Sequence, residues 1–533
     1  MQRLLLWQKK KNKRIAEAIK EEPFMKIALG SQMREMDRIT TEEYGIPSII
    51  LMENASTAVA EKCMEYLKKE QKKNTLVVCG GGNNGGDGFA AARLLKVHGY
   101  DSKIFFCGKK EKLKGDALIN YNAAVNIEIP VETDNKKLSE LIEEADLVVD
   151  AVFGTGFSGE PREESAFVIN KINEGNKYVI SVDIASGVDS ETGHISNACV
   201  KADETVSFCM AKVGNILYPG AEKCGKLTVA DISIPQQVKD TMDIKTEALD
   251  FAMAKELVPK RKPRSNKGTY GKLYVFAGSF SMGGAAVLCS KAAYKSGCGL
   301  VYSCVPEECL STIQMLVPEA VAKPLKSFEG KLGKESFYAI ENELDVPDCA
   351  AIGPGMGKGG ETREFLKLLL PRLKCKAVID ADALNNISDN PEILRNMAQM
   401  PVITPHPGEM SRLTGKTVKE VLNDTIGTAK EFAKEYNTVV LLKDARTIIA
   451  SPDGRVYINM TGNNAMSKGG SGDVLTGIIG ALLAVMENPF EAAALGAYIH
   501  GLSGEKASEK LGHYGVLAGD ICRCIADIFK LTE

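Results

Sequence analysis

The chain has 533 residues, 44% of them apolar and 25% charged, and its 66 Lys plus Arg stand against 69 Asp plus Glu for a formal charge of -3. That length suggests about two to four domains with real cores, and the near-neutral balance provides no general electrostatic attraction to nucleic acid or anionic lipid, whose binding normally shows as a strongly basic domain. The longest uncharged apolar stretch of helical character, residues 474–486, falls short of the roughly 20 residues needed to cross a bilayer.

At the N-terminus Leu4 to Trp7 is apolar but is followed by Lys9, Lys10, Lys11, Lys13 and Arg14, the reverse of secretory signal order. Residues 1–24 are expected to form a solvated, poorly ordered leader, with Met25 an alternative start. Short β-branched runs then alternate with helical patterns: TLVVCG (75–80), KIFFC (103–107), LVVDAV (147–152), YVISVDI (178–184) and TVSFC (205–209), with helices expected over 54–71, 86–98 and 165–173. Near-continuous apolar strands separated by helices predict a parallel sheet covered on both faces. The pattern restarts after an amphipathic stretch over 246–257 and a basic segment over 260–271. KLYVFAG (272–278), LVYSC (300–304), AAIG (350–353), AVID (377–380), PVIT (401–404), VVLLK (439–443) and RTIIA (446–450) follow, with a helix-rich end from Asp473. The boundary is expected near residue 245. The 14 cysteines include no C-x-x-C pair and read as reduced, mostly buried thiols of a cytoplasmic protein.

Three polar clusters fall at strand ends in the first half. CGGGNNGGDG (79–88) lies between a strand and a helix, where glycines let a phosphate approach the backbone at a helix N-terminus. The acid that a dinucleotide fold wants at the end of its second strand is missing, since Asp101 precedes that strand. The other two clusters are DAVFGTGFSGE (150–160) and DIASGVD (183–189). Asn84, Asp150 and Ser186 could offer oxygens to a monovalent cation, and Asp183 could transfer a proton.

Together these clusters resemble the NAD(P)H-hydrate epimerase family over about residues 25–245. The resemblance implies a Rossmann-like three-layer domain that interconverts the R and S forms of hydrated NAD(P)H. By that likeness Asn83, Asn84, Gly85, Gly86 and Asp87, with Gly154, Thr155, Gly156, Phe157, Ser158, Gly159 and Glu160, would hold the hydrated nucleotide. Asp183 would contact it as the acid/base, and Asn84, Asp150 and Ser186 would hold potassium.

In the second half GGSGD (469–473) immediately precedes a helix, so its amides can stabilise a transferring phosphoryl group while Asp473 takes a proton from an attacking hydroxyl. GPGMGK (353–358) is one residue too short for a P-loop, and Gly359 stands where a Ser or Thr must bind magnesium. His406, between two prolines in ITPHPGE (403–409), is expected to touch a ligand. These motifs, with KGTYGKLYVFAGS (267–279), MGGAA (282–286), AAYKSGCGLV (292–301), IGPGMG (352–357) and DADALN (380–385), resemble the ADP- or ATP-dependent NAD(P)H-hydrate dehydratases, which have a ribokinase-like fold. The likeness runs from about residue 260 to the end, and residues 246–533 are taken as this second domain. It implies that Ala285, Gly357, His406 and Asp473 contact the hydrated nucleotide, with Asp473 as base. Lys443, Asp444, Ala445, Arg446, Thr447 and Gly472 would bind ADP or ATP with magnesium. The usual K-G-x-x-T reads KDART here, with Asp444 in place of glycine.

The chain is therefore read as a two-domain α/β repair enzyme. Its expected partners are hydrated NADH and NADPH, ADP or ATP and further copies of the same chain, with no nucleic acid and no membrane. The alternative is a ribokinase-like small-molecule kinase fused to a nucleotide-binding domain, which shares GGSGD. A non-catalytic scaffold on the first fold and a nicotinamide-dependent oxidoreductase are weaker readings.

Overall fold

A computed structural model describes residues 26–532; the expected leader over 1–24 lies outside them. The described chain forms two compact units, Lys26–Ile244 and residues 245–532.

The first unit is a seven-stranded, wholly parallel sheet. In chain order its strands are β1 (Asn74–Cys79), β2 (Asp101–Phe106), β3 (Val131–Glu132), β4 (Leu147–Ala151), β5 (Tyr178–Val182), β6 (Glu204–Phe208) and β7 (Lys226–Ala230). They lie side by side as β3-β2-β1-β4-β5-β6-β7. Alternate residues of a strand point to opposite faces, so Val77 and Cys79 of β1 join the core under α1 (Gly30–Glu42), α2 (Ser48–Glu70), α3 (Asn83–Val97) and α4 (Gly115–Asn126). Leu76 and Val78 join the opposite core under α5 (Leu138–Glu144) and α6 (Glu163–Glu174). Both faces are dry, which is why these strands read as apolar runs.

The main sheet of the second unit has ten strands: β8 (Thr246–Leu249), β9 (Lys272–Phe276), β10 (Leu300–Pro306), β11 (Val321–Leu325), β12 (Cys349–Ile352), β13 (Lys376–Ile379), β14 (Val402–Ile403), β15 (Val439–Leu442), β16 (Thr447–Ala450) and β17 (Val456–Asn459). Their order is β8-β17-β16-β15-β14-β13-β12-β9-β10-β11, parallel throughout except where β16 runs against β15 and β17. One face packs on α7 (Gly283–Lys295), α12 (Ser471–Leu483), α13 (Pro489–Gly515) and α14 (Ala518–Thr532). The other packs on α8 (Gly360–Leu369), where the rings of Phe276 and Phe365 meet at 5.9 Å, and on α9 (Ala381–Ile387), α10 (Pro407–Thr414) and α11 (Thr425–Tyr436). The amphipathic stretch over 246–257 divides into strand β8, which pairs with β17, and a helix over Phe251–Leu257.

All fourteen cysteines are free thiols, all but Cys107, Cys209 and Cys375 buried. Among the described residues no helix is long and apolar enough to cross a membrane.

Candidate functional site

Each unit collects its chemistry at the carboxyl ends of its strands. In the first unit β1 and β4 are neighbours while β2 and β3 run away on the other side, so the crevice at this switch in strand order lies beside the loops after β1, β4 and β5.

The glycine-rich loop serves packing as much as ligand approach. A Cβ on Gly80 would lie 2.0 Å from the Val152 carbonyl oxygen, one on Gly85 would lie 1.9 Å from Gly80 O, and one on Gly88 would lie 2.6 Å from Ala151 Cβ. These glycines let α3 press into the sheet. Gly81 and Gly82 have open space around them, and with exposed Asn83 they present backbone at the start of α3, where an anion is favoured. Gly80→Ala is therefore expected to cost about 3 kcal/mol, the upper end of overpacking, because the obstacle is backbone. Gly81→Ala should change stability by less than about 0.5 kcal/mol, and urea unfolding of the two variants checks the contrast.

Asn84, Asp150 and Ser186 meet around Phe153. Asn84 Nδ2 donates to Phe153 O at 3.0 Å, and Phe153 N–H donates to Ser186 Oγ at 2.8 Å. Asp150 is fully buried; its carboxylate accepts from Ser186 Oγ at 2.6 Å, Ser186 N at 2.9 Å and Ser181 Oγ at 2.8 Å. Burial pushes its carboxyl up, and the serine hydrogen bonds oppose that. No lysine or arginine pairs with it among the described residues. A buried carboxylate surrounded by neutral oxygens and without a counter-charge fits a weakly charged cation held by oxygen donors.

The loop over 154–160 continues from there. Phe157 stacks on Phe153 with ring centres 4.6 Å apart, Thr155 O accepts from Arg34 Nη1 at 2.9 Å, and Glu160 accepts from Asn197 N–H at 2.8 Å. Gly156, Ser158, Gly159 and Glu160 are exposed.

Asp183 sits in the left-handed region at φ 65°, at the turn after β5. Such strain in a non-glycine residue is held by its surroundings. Its Oδ1 accepts from the Lys212 ammonium and from Phe208 N–H at 3.1 Å. Lys212 is itself buried, with its side chain 1% exposed, and also donates to Ser207 Oγ at 3.0 Å and Phe208 O at 2.8 Å. Two more carboxylates share this one cation. Burial, then the charges of Asp183 and Asp37, push Asp87 well above the usual carboxylate range. Asp37 is pushed to about 6 by burial and by Asp183, against Lys212. Sequence reasoning reached Asp87 and Asp183 but missed Lys212 and Asp37; the charged run REMDR around Asp37 reads as a solvated helix face, and the lone charge of CMAK carries no motif.

In the second unit five loops at strand ends converge. The GPGMG loop after β12 has positive φ at Gly353, Gly355 and Gly357. A Cβ on Gly353 would lie 1.9 Å from Asp380 O, and one on Gly355 would lie 2.7 Å from Ala285 Cβ. Only glycine allows this loop to lie against both α7, which carries Ala285, and the turn after β13. Gly357 N–H donates to Asp382 Oδ2 at 2.9 Å.

Asp380, 1% exposed, is the hub of this site. It accepts from Lys443 Nζ at 2.8 Å through Oδ1 and from Thr476 Oγ1 at 2.7 Å through Oδ2. A Cβ on Gly472 would lie 3.6 Å from both Asp380 Oδ2 and Lys443 Nζ, so the GGSGD turn lies against this ion pair. Burial alone would lower the Lys443 ammonium, but Asp380 and Glu409 raise it, so it stays charged. Asp473, in the first turn of α12, is pushed up to about 7 by burial and by the Asp380 charge, against Lys443. That places its titration where a general base operates. Asp380, Glu409 and Thr476 were missed as site residues, although DADALN contains the first and TPHPGE the second.

His406 has a structural duty. Its Nδ1 accepts from Gly408 N–H at 3.0 Å and Glu409 N–H at 3.3 Å, capping α10, and Nε2 lies 3.4 Å from Glu409 Oε1. Burial and then the nearby Lys443 and Arg412 charges lower its titration, so the ring is neutral and half exposed. Lys443–Arg446 forms the turn of the β15–β16 hairpin. Asp444 and Ala445 are exposed there, Arg446 donates to Met460 O at 2.7 Å, and Thr447 Oγ1 donates to Asp444 O at 3.3 Å.

Comparison with known proteins follows the same division. A family model described as NAD(P)H-hydrate dehydratase matches residues 273–527, and one described as YjeF-related protein N-terminus matches residues 48–214. The bifunctional NAD(P)H-hydrate repair enzyme of Moorella thermoacetica is 39% identical over 522 residues, covering 96% of this chain and 97% of its own length. Its namesake from Thermofilum pendens is 39% identical over 499 residues, covering 92% and 94%. The crystal structure of the ADP/ATP-dependent NAD(P)H-hydrate dehydratase from Bacillus subtilis, co-crystallised with ATP and Mg2+, is 30% identical over 54% of this chain and 98% of its own, with a TM-score of 0.47.

Proposed function

Because this chain belongs to the bifunctional NAD(P)H-hydrate repair enzymes, we propose that its two clusters of strand-end loops divide one repair between them. The chain is an NAD(P)H-hydrate epimerase and an NAD(P)H-hydrate dehydratase. The unit over Lys26–Ile244 interconverts the R and S hydrates, and the unit over residues 245–532 dehydrates the S form at the expense of ADP or ATP.

The observation that carries the second assignment is the Asp473–Asp380–Lys443 cluster at the start of α12. Asp473 takes the proton of the ring hydroxyl as that oxygen attacks the terminal phosphoryl group. The amides of residues 469–472 and the positive end of α12 stabilise the charge that develops on the phosphoryl oxygens. Lys443 neutralises charge from the nucleotide side, and Asp380 with Thr476 holds Lys443 in place. Ala285, Gly357 and His406 Nε2 line the side on which the hydrated nicotinamide would lie. Magnesium, carried in with the nucleotide, would supply charge neutralisation. Departure of phosphate from the ring carbon, with loss of a neighbouring proton, restores the double bond.

In the first unit Asn83 to Asp87 and Gly154 to Glu160 would hold the hydrated nucleotide, with Asp183 against the reacting ring. Asp150, Ser186 and Asn84 would hold potassium, whose charge there offsets the buried carboxylate.

A ribokinase-like kinase would use the same GGSGD geometry but leave a stable phosphorylated product. Hydrated NADH with ADP, and then with ATP, separates the two readings. Release of one inorganic phosphate per reduced nicotinamide recovered supports the dehydratase, whereas a phosphorylated product without recovery supports the kinase.

Asp444 gives a second test. Unit charges about 4 Å apart in water interact by about 1 kcal/mol, so an exposed carboxylate beside a polyphosphate weakens binding about fivefold. Asp444→Gly should lower KM for the nucleotide by about that factor with kcat unchanged. The gain should shrink as salt is raised, since exposed charges are screened.

A further inference from the structure

Asp37 belongs to none of the motifs, yet the fold carries it to the epimerase site. The two-residue strands Ile27–Ala28 and Ala211–Lys212 pair in parallel, so α1 begins two residues after the partner of Lys212. On α1, Met33, Met36 and Thr40 are buried, and the two methionines share a core with Phe208 and Met210. Gly30, Arg34 and Asp37, spaced four and three residues apart, share a neighbouring face. The first two lie against the substrate loops. A Cβ on Gly30 would lie 3.1 Å from Thr155 O, and Arg34 Nη1 donates to that same oxygen at 2.9 Å. Asp37, one turn further along this face, stands within the fields of Asp183 and Lys212.

Its carboxylate makes no hydrogen bond among the described residues. It is exposed to solvent, and the protein around it still desolvates it enough to raise its carboxyl. The titratable groups that interact with it from other elements are Asp183, Lys212, Asp87 and Cys209. On its own helix, Arg34 is engaged with Thr155 O and Glu191, and Arg38 with Glu35, Glu42 and Glu43.

We infer that Asp37 is the proton donor and acceptor of epimerisation, while Asp183, ion-paired with Lys212, stabilises the cationic intermediate. This rests on the epimerase assignment. The carbon that distinguishes the epimers bears both a hydroxyl and the ring nitrogen. The Asp37 acid gives its proton to that hydroxyl, the C–O bond breaks with its electrons going to oxygen, and water leaves. The nitrogen lone pair closes a C=N bond whose positive charge faces Asp183. Water then adds to the opposite face, the C=N electrons return to nitrogen, and the spare proton of the added water goes to the Asp37 carboxylate. The balance is one water out and one water in, with no redox change. A carboxyl raised by its surroundings beside a second, ion-paired carboxylate is a recurrent arrangement for acid catalysis near neutral pH.

The test is epimerisation of the purified R hydrate of NADH by the full chain and by Asp37→Asn, followed by chromatographic resolution of the epimers across pH. For the variant the expected result is a kcat lower by about 10²-fold with KM within about threefold. Wild-type kcat should fall as pH rises through about 6, because the protonated acid is the donor, and this limb should vanish in the variant. Denaturant unfolding of the variant, matched to that of wild type, reports that its epimerase unit is folded. A variant kcat within about threefold of wild type, or an unchanged alkaline limb, would overturn the inference. If the wild-type chain itself does not accelerate epimerisation, the epimerase assignment fails instead.

Discussion

Asp473→Asn should lower the dehydratase kcat by about 10²- to 10⁴-fold, the span expected when a positioned base is lost, while epimerisation continues at the wild-type rate. The amide is isosteric and keeps the side chain at the start of α12, so nucleotide binding should change little. The same account fixes the pH dependence of the wild type. Burial and the Asp380 charge hold the Asp473 carboxyl up at about 7, and it works as a base only when ionised. Dehydration should therefore fall as pH drops below about 7, and the residual rate of Asp473→Asn should lack that acidic limb. A variant that keeps the limb would assign it to a different group.

Lys212→Met should be the most damaging single change in the epimerase unit. Removing one partner of a buried ion pair typically costs about 3–5 kcal/mol, because the remaining charge is left without compensation. Here three carboxylates, Asp183, Asp87 and Asp37, depend on the one ammonium. The double variant Asp183→Asn with Lys212→Met should recover much of the lost stability, since neither half of the pair is then stranded, yet should not recover epimerisation. The sign with pH follows from linkage. Asp37 and Asp87 bind protons more tightly in the folded chain than in the unfolded one, so stability from that difference is lost as pH rises. The Lys212→Met penalty should thus be smaller at about pH 5, where these carboxyls bind protons, than at about pH 8. Denaturant unfolding at the two pH values measures this.

The central strands of both sheets were legible in sequence because they are buried on both faces: TLVVCG, LVVDAV, KLYVFAG and VVLLK became β1, β4, β9 and β15 within two residues. The strands that escaped are mostly the sheet edges, β3 and β7 in the first unit and β8 and β11 in the second. Edge strands carry polar residues and proline to discourage further pairing. Lys226, Glu247, Lys323 and Pro324 do so here, and they break the apolar run by which a strand is recognised. The interior strand β17 escaped as well, since VYIN is short and lies between two turns.

The sites show the same asymmetry. Groups that a backbone turn must present, such as those of GGSGD and NNGGDG, are contiguous and were readable. Those assembled from distant segments were not. Lys212 reaches Asp183 across 29 residues and Lys443 reaches Asp380 across 63, and no local pattern records such a meeting. Glycines carry a second role. In the loop after β1, Gly80, Gly85 and Gly88 are required by the approach of α3 to the sheet, so their abundance exceeded what phosphate binding alone implies. His406 likewise owes its position to capping α10, a duty invisible in TPHPGE.

The most direct test of a single chain that performs both steps is to supply the pure R hydrate of NADH with ADP and magnesium and follow recovery of reduced-nicotinamide absorbance. Complete recovery, faster than uncatalysed epimerisation permits and reduced to that slow rate by Asp183→Asn, is the predicted result. Recovery at only the uncatalysed rate in the wild type, with the S hydrate alone consumed rapidly, would contradict the account.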